Sequence, residues 1–423
     1  MERRGAAPLR EGSCCIPVAL RQHSQRQQAG AVGQHSPRQV VTIGEPCLRS
    51  EVSFIGDEGS MKGALVGYGT IAAGHHRAYL ELKGASIDAV VDVSPMRRDA
   101  ARTLDPRVET YSSLAELLAS ESLDFIDICL PPSMHFEHIC QALDAGCHVL
   151  CEKPFLPDLA TFDRLIGRLE SCDRFVYPGH NYKFSPVMRR LVQEVRAATF
   201  GELLRGFFLT RRSGHARGVP EWHPDWRRDP TFSHGGILQD HATHSIYLAS
   251  HLCNSAPNAV SCILGNLRRD AFSSTEDTAL LVLYFPSGTE IRLDLTWACE
   301  HRHTAYTLLG RARSVVVEND NWLSIGDGFV QQEEIVSDFN DPTHQAWFID
   351  MLADFINNVN DRHKQKRLLW EAWTTCAVIE AAYTSARTGG ARVAVTDVPT
   401  SLAMDPCPSV LNPNAILQMS GRN

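Results

Sequence analysis

The run MKGALVGYGTIA, from Met61 to Ala72, constrains this chain more than any other stretch. A short apolar segment stops at Gly67, a second glycine follows at Gly69, and a helical period, IAAGHHRAYLEL, begins at once. A strand that turns so tightly into a helix opens a βαβ unit, and the following sequence repeats the alternation. SIDAVVDVS reads as a strand, SLAELLASES as a helix, DFIDICLPP as a strand, HFEHICQALDAG as a helix ending at Gly146, and HVLCEKP as a strand. This order predicts a parallel, doubly wound sheet, an α/β domain over residues 61–180.

The pattern changes further on. LLRGFFLTRRS, NAVSCILGNLR, TALLVLYFPSGTEIRLDLTW and AYTLLGRARSVVVEN are strand-like, and the PSGT turn between two apolar runs reads as a hairpin. Helical stretches AWFIDMLADFINNVN and WEAWTTCAVIEAAYTSARTG follow. Residues 181–396 are therefore expected to form an α+β domain with a large, mostly antiparallel sheet, and residues 397–423 an irregular tail. Residues 1–60 are rich in Arg, Gln, Gly, Ser and Pro and show no sustained period. They offer too little apolar surface to offset ordering entropy. They read as a disordered extension or as a start placed too far upstream, since Met61 stands directly before the first strand. A transit peptide fits the Arg and Ser content but not Glu2 and Glu11.

Composition excludes several classes. The 423 residues carry a net charge of -8, which gives no footprint for nucleic acid or an anionic membrane. No apolar run approaches the ~18–20 residues of a membrane helix. The 13 cysteines include no CxxC pair, and their odd count in a large chain reads as reduced thiols of a cytoplasmic protein rather than a disulfide framework or zinc site.

The segment Gly67-Tyr68-Gly69-Thr70-Ile71-Ala72 matches a dinucleotide-binding turn of the Rossmann type. Gly67 permits the turn, Gly69 lets the backbone approach a pyrophosphate, and Ala72 stands where close helix–strand packing requires a small residue. The helix N-terminus behind Thr70 and Ile71 offers N–H groups and a positive dipole to phosphate. Asp92 ends the second strand at about the spacing of a ribose-binding carboxylate. That favours NAD, since a carboxylate repels the 2′-phosphate of NADP, although Arg97 and Arg98 are placed to recruit one. Asp92 also fits a plain turn or N-cap role. Pro131 and Pro132 follow the fourth expected strand, and His135 sits beyond them as a candidate cofactor contact, with Ser133 as an N-cap.

Other residues carry the chemistry. Glu152-Lys153-Pro154 closes a strand at the end that faces the ligand crevice of such sheets. Asp240 and His244 are four apart, on one face if helical, after Gly235 and Gly236. Asp240, His241 and His244 are all possible metal ligands, but adjacent residues diverge on a helix, so no metal site is expected. Tyr182, Lys183, Trp226 and Arg227 are substrate candidates, because aromatic faces and a guanidinium suit a sugar ring, its hydroxyls or an attached acid. Trp222, His223, Trp226 and Arg227 equally fit a packed loop.

Four blocks together resemble the glucose–fructose oxidoreductase, inositol dehydrogenase and MocA (Gfo/Idh/MocA) oxidoreductases: the glycine turn at 67–72, IDICLPPSMHFEHICQALDAGCHVLCEKPF, GGILQDHATHSIYLASHL and EAAYTSARTGGARV. The likeness covers roughly residues 61–396. It implies that Lys153 bonds the reacting hydroxyl, Pro154 shapes the turn beside the nicotinamide, Asp240 binds a substrate hydroxyl and His244 is the acid/base partner. The same likeness makes Glu152 and Lys153 part of the cofactor site. The implied reaction is hydride transfer between NAD, or NADP, and a secondary alcohol of a sugar, cyclitol or polyol. A transient oxidation serving glycoside cleavage or elimination, and a non-catalytic nucleotide sensor, are the competing readings. The open sheet face suggests a homodimer or homotetramer. The chain departs from the family at Leu130, where Thr is frequent, at His180-Asn181-Tyr182-Lys183, where Arg is frequent, and at His241.

Overall fold

The computed structural model describes residues 60–268, 274–319, 322–326, 330–335 and 345–403. The extension at 1–59 and the tail beyond 403, on which two of the expectations above fall, lie outside them.

Eleven elements build the first half: β1 (Met61–Val66), α1 (Thr70–Glu81), β2 (Ala85–Val91), α2 (Pro95–Leu104), β3 (Glu109–Tyr111), α3 (Leu114–Ser120), β4 (Phe125–Ile128), α4 (Pro132–Asp144), β5 (His148–Glu152), α5 (Leu159–Leu169) and β6 (Val176–Gly179). The strands form one parallel sheet in the order β3-β2-β1-β4-β5-β6, the doubly wound arrangement expected from the alternation. Every residue of β4, β5 and β6 is buried, because helices cover both faces. Gly67 has φ +84°, and a Cβ there would press on Leu130 and the Cys129 carbonyl, so glycine is required where β1 meets the end of β4.

After α6 (Pro186–Arg196) come β7 (Leu203–Arg211), α7 (Pro230–Ser233), α8 (Ile237–Cys253), β8 (Ala259–Gly265), β9 (Thr278–Tyr284), β10 (Glu290–Thr296), β11 (His303–Gly310), β12 (Ser314–Glu318), β13 (Trp322–Gly326), β14 (Val330–Glu334), α9 (Gln345–Asn358), α10 (Arg362–Arg387) and β15 (Val393–Ala394). The second sheet runs β14-β13-β12-β11-β7-β10-β9-β8-β15. It is antiparallel except where β7 and β10 pair in parallel. The hairpin read from PSGT joins β9 to β10. β10 alternates buried and partly exposed residues, as a sheet with one covered face should. α8 and α10 pack on the covered face.

α9 leaves the second sheet and packs on α1. Phe348, Met351, Leu352 and Phe355 join the core that contains Leu65, Tyr79 and Phe125. The Tyr177 hydroxyl, at the end of the parallel sheet, donates to Asp354 Oδ2 at 2.8 Å. The chain thus returns to its first half after building the second, and the two sheets are held together by more than one connection.

Candidate active site

At the glycine turn, α1 has Gly69 as N-cap and no side-chain cap, and a Cβ on Gly69 would meet nothing within 4 Å. Open space over an uncapped helix N-terminus fits a pyrophosphate. Asp92 Oδ2 accepts from the Tyr68 N–H and Oδ1 from the Ser94 N–H, both at 2.7 Å. The carboxylate therefore ties the glycine turn to the end of β2, and each oxygen retains a second lone pair for a ribose hydroxyl. Arg97 Nε donates to the Tyr68 carbonyl at 2.8 Å and Arg98 Nη1 to the Asp92 carbonyl at 2.5 Å. Both guanidinium groups brace the loop, which counts against the phosphate role considered for them.

His135 is differently placed from the cofactor contact expected of it. It has no exposed surface, and its ring nitrogens face the Phe155 carbonyl at 2.9 Å and the Leu130 carbonyl at 2.7 Å. It joins the turns that follow β4 and β5. Helix α4 starts at Pro132 with Pro131 as its N-cap residue, and Ser133 is an exposed first-turn residue rather than the cap.

Glu152 is 8% exposed and also serves the turn. Its Oε2 accepts from the Lys153 N–H at 3.1 Å, and Oε1 lies 3.3 Å from His75 Nε2. His75 Nδ1 in turn lies 2.8 Å from Asp127 Oδ2. Burial opposes charge on His75, but the Asp127 contact overrides it and holds the imidazole's pKa well above its usual value. An imidazolium between two carboxylates thus underlies the Lys153 turn. Neither His75 nor Asp127 was singled out from the sequence. His75 shares the helix of the glycine turn, whereas nothing in the strand pattern marks Asp127. Among the described residues, His75, Asp127 and Cys129 also have metal-ligand proximity, with donor atoms within 4.8 Å of one another.

The two sheets contribute to one cleft. Lys153 Nζ, from the end of β5, donates to Asp240 Oδ1 at 3.0 Å and to the Asp240 carbonyl at 3.2 Å, across 87 residues of sequence. Arg227 Nε stands 3.5 Å from the same oxygen, and His241 Nδ1 stands 3.1 Å from Oδ2. Burial raises the pKa of the Asp240 carboxyl, but Lys153, His241 and Arg227 together drive it well below the usual range. The argument that Asp240 and His241 must diverge is thereby corrected: the short Asp side chain and the imidazole turn toward each other at the start of the helix.

His244 does not pair with Asp240. Its Nδ1 meets the Tyr247 hydroxyl at 2.7 Å, and Tyr247 accepts from the Tyr182 N–H at 3.2 Å. The Tyr247 hydroxyl thus links the Tyr182 backbone to His244 Nδ1. Burial, Lys153 and His241 hold its pKa well below the usual value against Asp240. The carboxylate support expected for its charged form is present but outweighed. Tyr182 lies on the ring of His244, with centroids 3.9 Å apart.

Two further expectations separate. Arg227 reaches Asp240, and its guanidinium lies over Trp226 at 4.2 Å. Lys183 Nζ instead bonds Glu371 Oε2 at 2.5 Å, beside buried His180, so the lysine serves a buried ion pair and not an open subsite. Trp222 and His223 pack with Phe232, the loop role.

Helix α8, which carries Asp240 and His244, has no side-chain cap of its own. Glu276 supplies one from outside: its Oε1 accepts from Gly236 N at 2.9 Å, Leu238 N at 3.1 Å and the Tyr383 hydroxyl at 3.1 Å, while its carbonyl accepts from Ile237 N at 3.0 Å. A Cβ on Gly235 would collide with Tyr383, and one on Gly236 with the Glu276 carbonyl. The glycine pair is thus explained by close approach, but its partners, Glu276 and Tyr383, carry no sequence signal.

Comparison with known proteins follows the same division. The family described as "Oxidoreductase family, NAD-binding Rossmann fold" matches residues 61–180, and "GFO/IDH/MocA C-terminal domain" matches residues 188–316. The chain is 30% identical over 201 residues to an uncharacterized oxidoreductase of Schizosaccharomyces pombe, covering 46% of this chain and 51% of that protein. It is 26% identical to a D-apiose dehydrogenase of Paraburkholderia graminis, over 56% of this chain and 60% of that one. It is 29% identical to an inositol 2-dehydrogenase of Corynebacterium glutamicum, over 56% and 67%. The match thus spans about half to two thirds of these relatives' lengths. Among solved structures, levoglucosan dehydrogenase with NADH and levoglucosan has the same fold, with a TM-score of 0.70 at 16% identity, covering 80% of this chain and all of that one. GenD2 from gentamicin A biosynthesis, in complex with NAD, gives 0.69 at 19%, covering 80% and 97%. Matches to both halves in chain order, over more than half of the sequence, place the chain in the Gfo/Idh/MocA oxidoreductase family, with residues 61–180 as its NAD-binding Rossmann domain.

Proposed function

We propose that the protein transfers a hydride between NAD and a secondary alcohol carbon of a sugar, cyclitol or related polyol. The observation that carries this reading is the meeting of Lys153 and Asp240 at 3.0 Å, one from the end of a Rossmann strand and the other from the second half. NAD, when bound, supplies the hydride acceptor or donor. Lys153 Nζ holds the reacting hydroxyl and exchanges its proton, and Asp240 accepts from a neighbouring hydroxyl. His244, held at Nδ1 by the Tyr247 hydroxyl, serves as the acid/base partner for a substrate oxygen. The names of the dehydrogenase relatives support the substrate class.

The test is nicotinamide absorbance with NAD and NADP against neutral sugars, cyclitols and sugar acids. Substrate-dependent formation of free NADH supports the reading. Its absence across the panel, with NAD binding confirmed, overturns it. Nine unpaired cysteines among the described residues support a reducing, cytoplasmic setting, and no described helix is long and apolar enough to cross a membrane. The uncovered face of the second sheet carries Phe207, Leu280 and Val316, 36%, 45% and 37% exposed. That apolar face supports a homodimer or homotetramer, which light scattering would measure.

A further inference from the structure

Glu371, on α10, is a buried carboxylate, 2% exposed, and basic side chains meet it from the turn after β6, from α8 and from α10 itself. Lys183 Nζ donates to its Oε2 at 2.5 Å, and His180 Nδ1 lies 3.6 Å from the same oxygen. His251 Nδ1, on α8, and Arg367 Nε, one turn earlier on α10, lie 3.8 Å and 3.6 Å from Oε1. Burial opposes charge on this carboxyl, but Lys183, His180 and His251 hold its pKa well below the usual range. A buried ion cluster adds little net stability, because the desolvation of each charge offsets their attraction. Its stronger effect is on geometry, since a buried charge with several partners tolerates few arrangements of the segments that supply them.

Those segments lead to His244. His180 and Lys183 bracket one short helical turn, Asn181–Phe184, and the Lys183 N–H closes it on the His180 carbonyl at 3.4 Å. Glu371 therefore holds the turn at both sides of Tyr182. Tyr182 reaches His244 in two ways: its N–H donates to the Tyr247 hydroxyl that meets His244 Nδ1, and its ring lies on the His244 ring at 3.9 Å. His180 adds a contact of its own, stacked on the Tyr247 ring with centroids 4.1 Å apart and planes 14° apart. Tyr247 and His251 share one face of α8 at helical spacing, so Glu371 also meets the helix that carries His244.

We propose that Glu371 is a positioning residue for His244, acting through the turn it clamps on either side of Tyr182. Lys183 and His180 are the arms of that clamp, and Tyr182 and Tyr247 are the surfaces that set the imidazole. The catalytic consequence rests on the proposed dehydrogenase reading, whereas the placement of His244 does not.

The test uses the full chain with NAD, isotope-labelled at the histidine nitrogens, and reads the imidazole signals in proton–nitrogen correlation spectra. His244 is assigned by its loss in His244→Ala, and His75 and His135, assigned by their own single substitutions, are internal controls. In Glu371→Gln the His244 signals should shift or broaden while those of the controls stay in place. Lys183→Met/Glu371→Leu should do the same. That pair substitution leaves the net charge unchanged, so a change of field does not account for the shift, and it avoids leaving Lys183 buried without its carboxylate. Turnover of myo-inositol, D-glucose or D-glucuronate with NAD gives the second readout. Glu371→Gln should lower kcat by about 10- to 100-fold, the scale of a ~1 Å misplacement, with NAD affinity close to that of the unaltered chain. In the His244→Ala background it should cost little more, because the two residues act as a unit. His244 signals that stay in place in both variants, or move no more than the controls, overturn the proposal, as do losses that multiply. Absence of NADH from every compound with the unaltered chain would instead overturn the dehydrogenase reading, and the spectra would still decide whether Glu371 places His244.

Discussion

Lys153 is the residue on which most of the site depends, because its side chain closes the gap between two halves of the chain. Lys153→Ala is expected to lower turnover by about 10²–10⁴, the range for losing a positioned acid–base group, while NAD affinity measured by fluorescence stays close to that of the native protein. The Lys153→Ala/His244→Ala double variant should be little worse than the poorer single variant, since groups acting as a unit are not additive. Multiplicative losses would assign the two residues to separate steps. At the other end of the proposed cofactor site, Asp92 anchors the glycine turn, and the ribose role proposed for it can be tested separately. Asp92→Asn keeps one of the two acceptors that hold the turn and removes the charge, so it should weaken NAD binding and narrow the preference for NAD over NADP in direct binding. Tighter binding of NADP than NAD by the unaltered chain would contradict the role given to the carboxylate.

At the level of elements, α8 places Asp240 and His244, and a residue from the loop before β9 fixes its start. Loss of a helix cap costs about 0.5–2 kcal/mol, and Glu276 satisfies two backbone amides with one carboxylate oxygen. Glu276→Ala should therefore lower the unfolding midpoint and raise KM for the sugar substrate more than it weakens NAD, because α8 belongs to the substrate side. Glu276→Gln retains an acceptor and should restore most of KM. Equal loss of NAD and substrate binding in both variants would mean that Glu276 only stabilises the fold.

For the whole molecule, buried histidines set opposite limits of stability. Burial lowers His76 and His148 to about 4, so they stay neutral in the folded chain at pH values where the unfolded chain protonates them near 6.5. Stability should fall as the pH drops from about 6.5 to 4. Asp240 and Glu371, both held well below the usual carboxylate range by neighbouring cations against the effect of burial, extend that loss at lower pH. His75 acts in the other direction. It stays protonated between Asp127 and Glu152 when the unfolded chain has released its proton, so its contribution is full below about 6.5 and is lost as the pH rises through its raised pKa. Urea unfolding at pH 4.5, 6.5 and 8.5 should give the highest midpoint at 6.5. A flat profile from 4.5 to 6.5 would contradict the neutral state of His76 and His148, and a continued rise to 8.5 would contradict the charge on His75.

The sequence by itself determined the parallel sheet, the glycine turn, the position of Asp92, the PSGT hairpin and the residues at the two ends of the cleft. These follow from local rules: apolar period, the backbone freedom of Gly67, and strand ends that open on a crevice. Only the tertiary structure decided what those residues touch. His135 became a brace between two carbonyls, Lys183 was taken by Glu371, and His244 turned to Tyr247 instead of Asp240. The support of the site by His75 and Asp127 below Lys153, and by Glu276 and Tyr383 at the start of α8, was likewise out of reach. Those partners lie 52, 38 and 107 residues apart along the chain. Periodicity reports which face of an element is buried, whereas hydrogen bonding between buried polar groups depends on how separate elements are stacked, which no local pattern encodes.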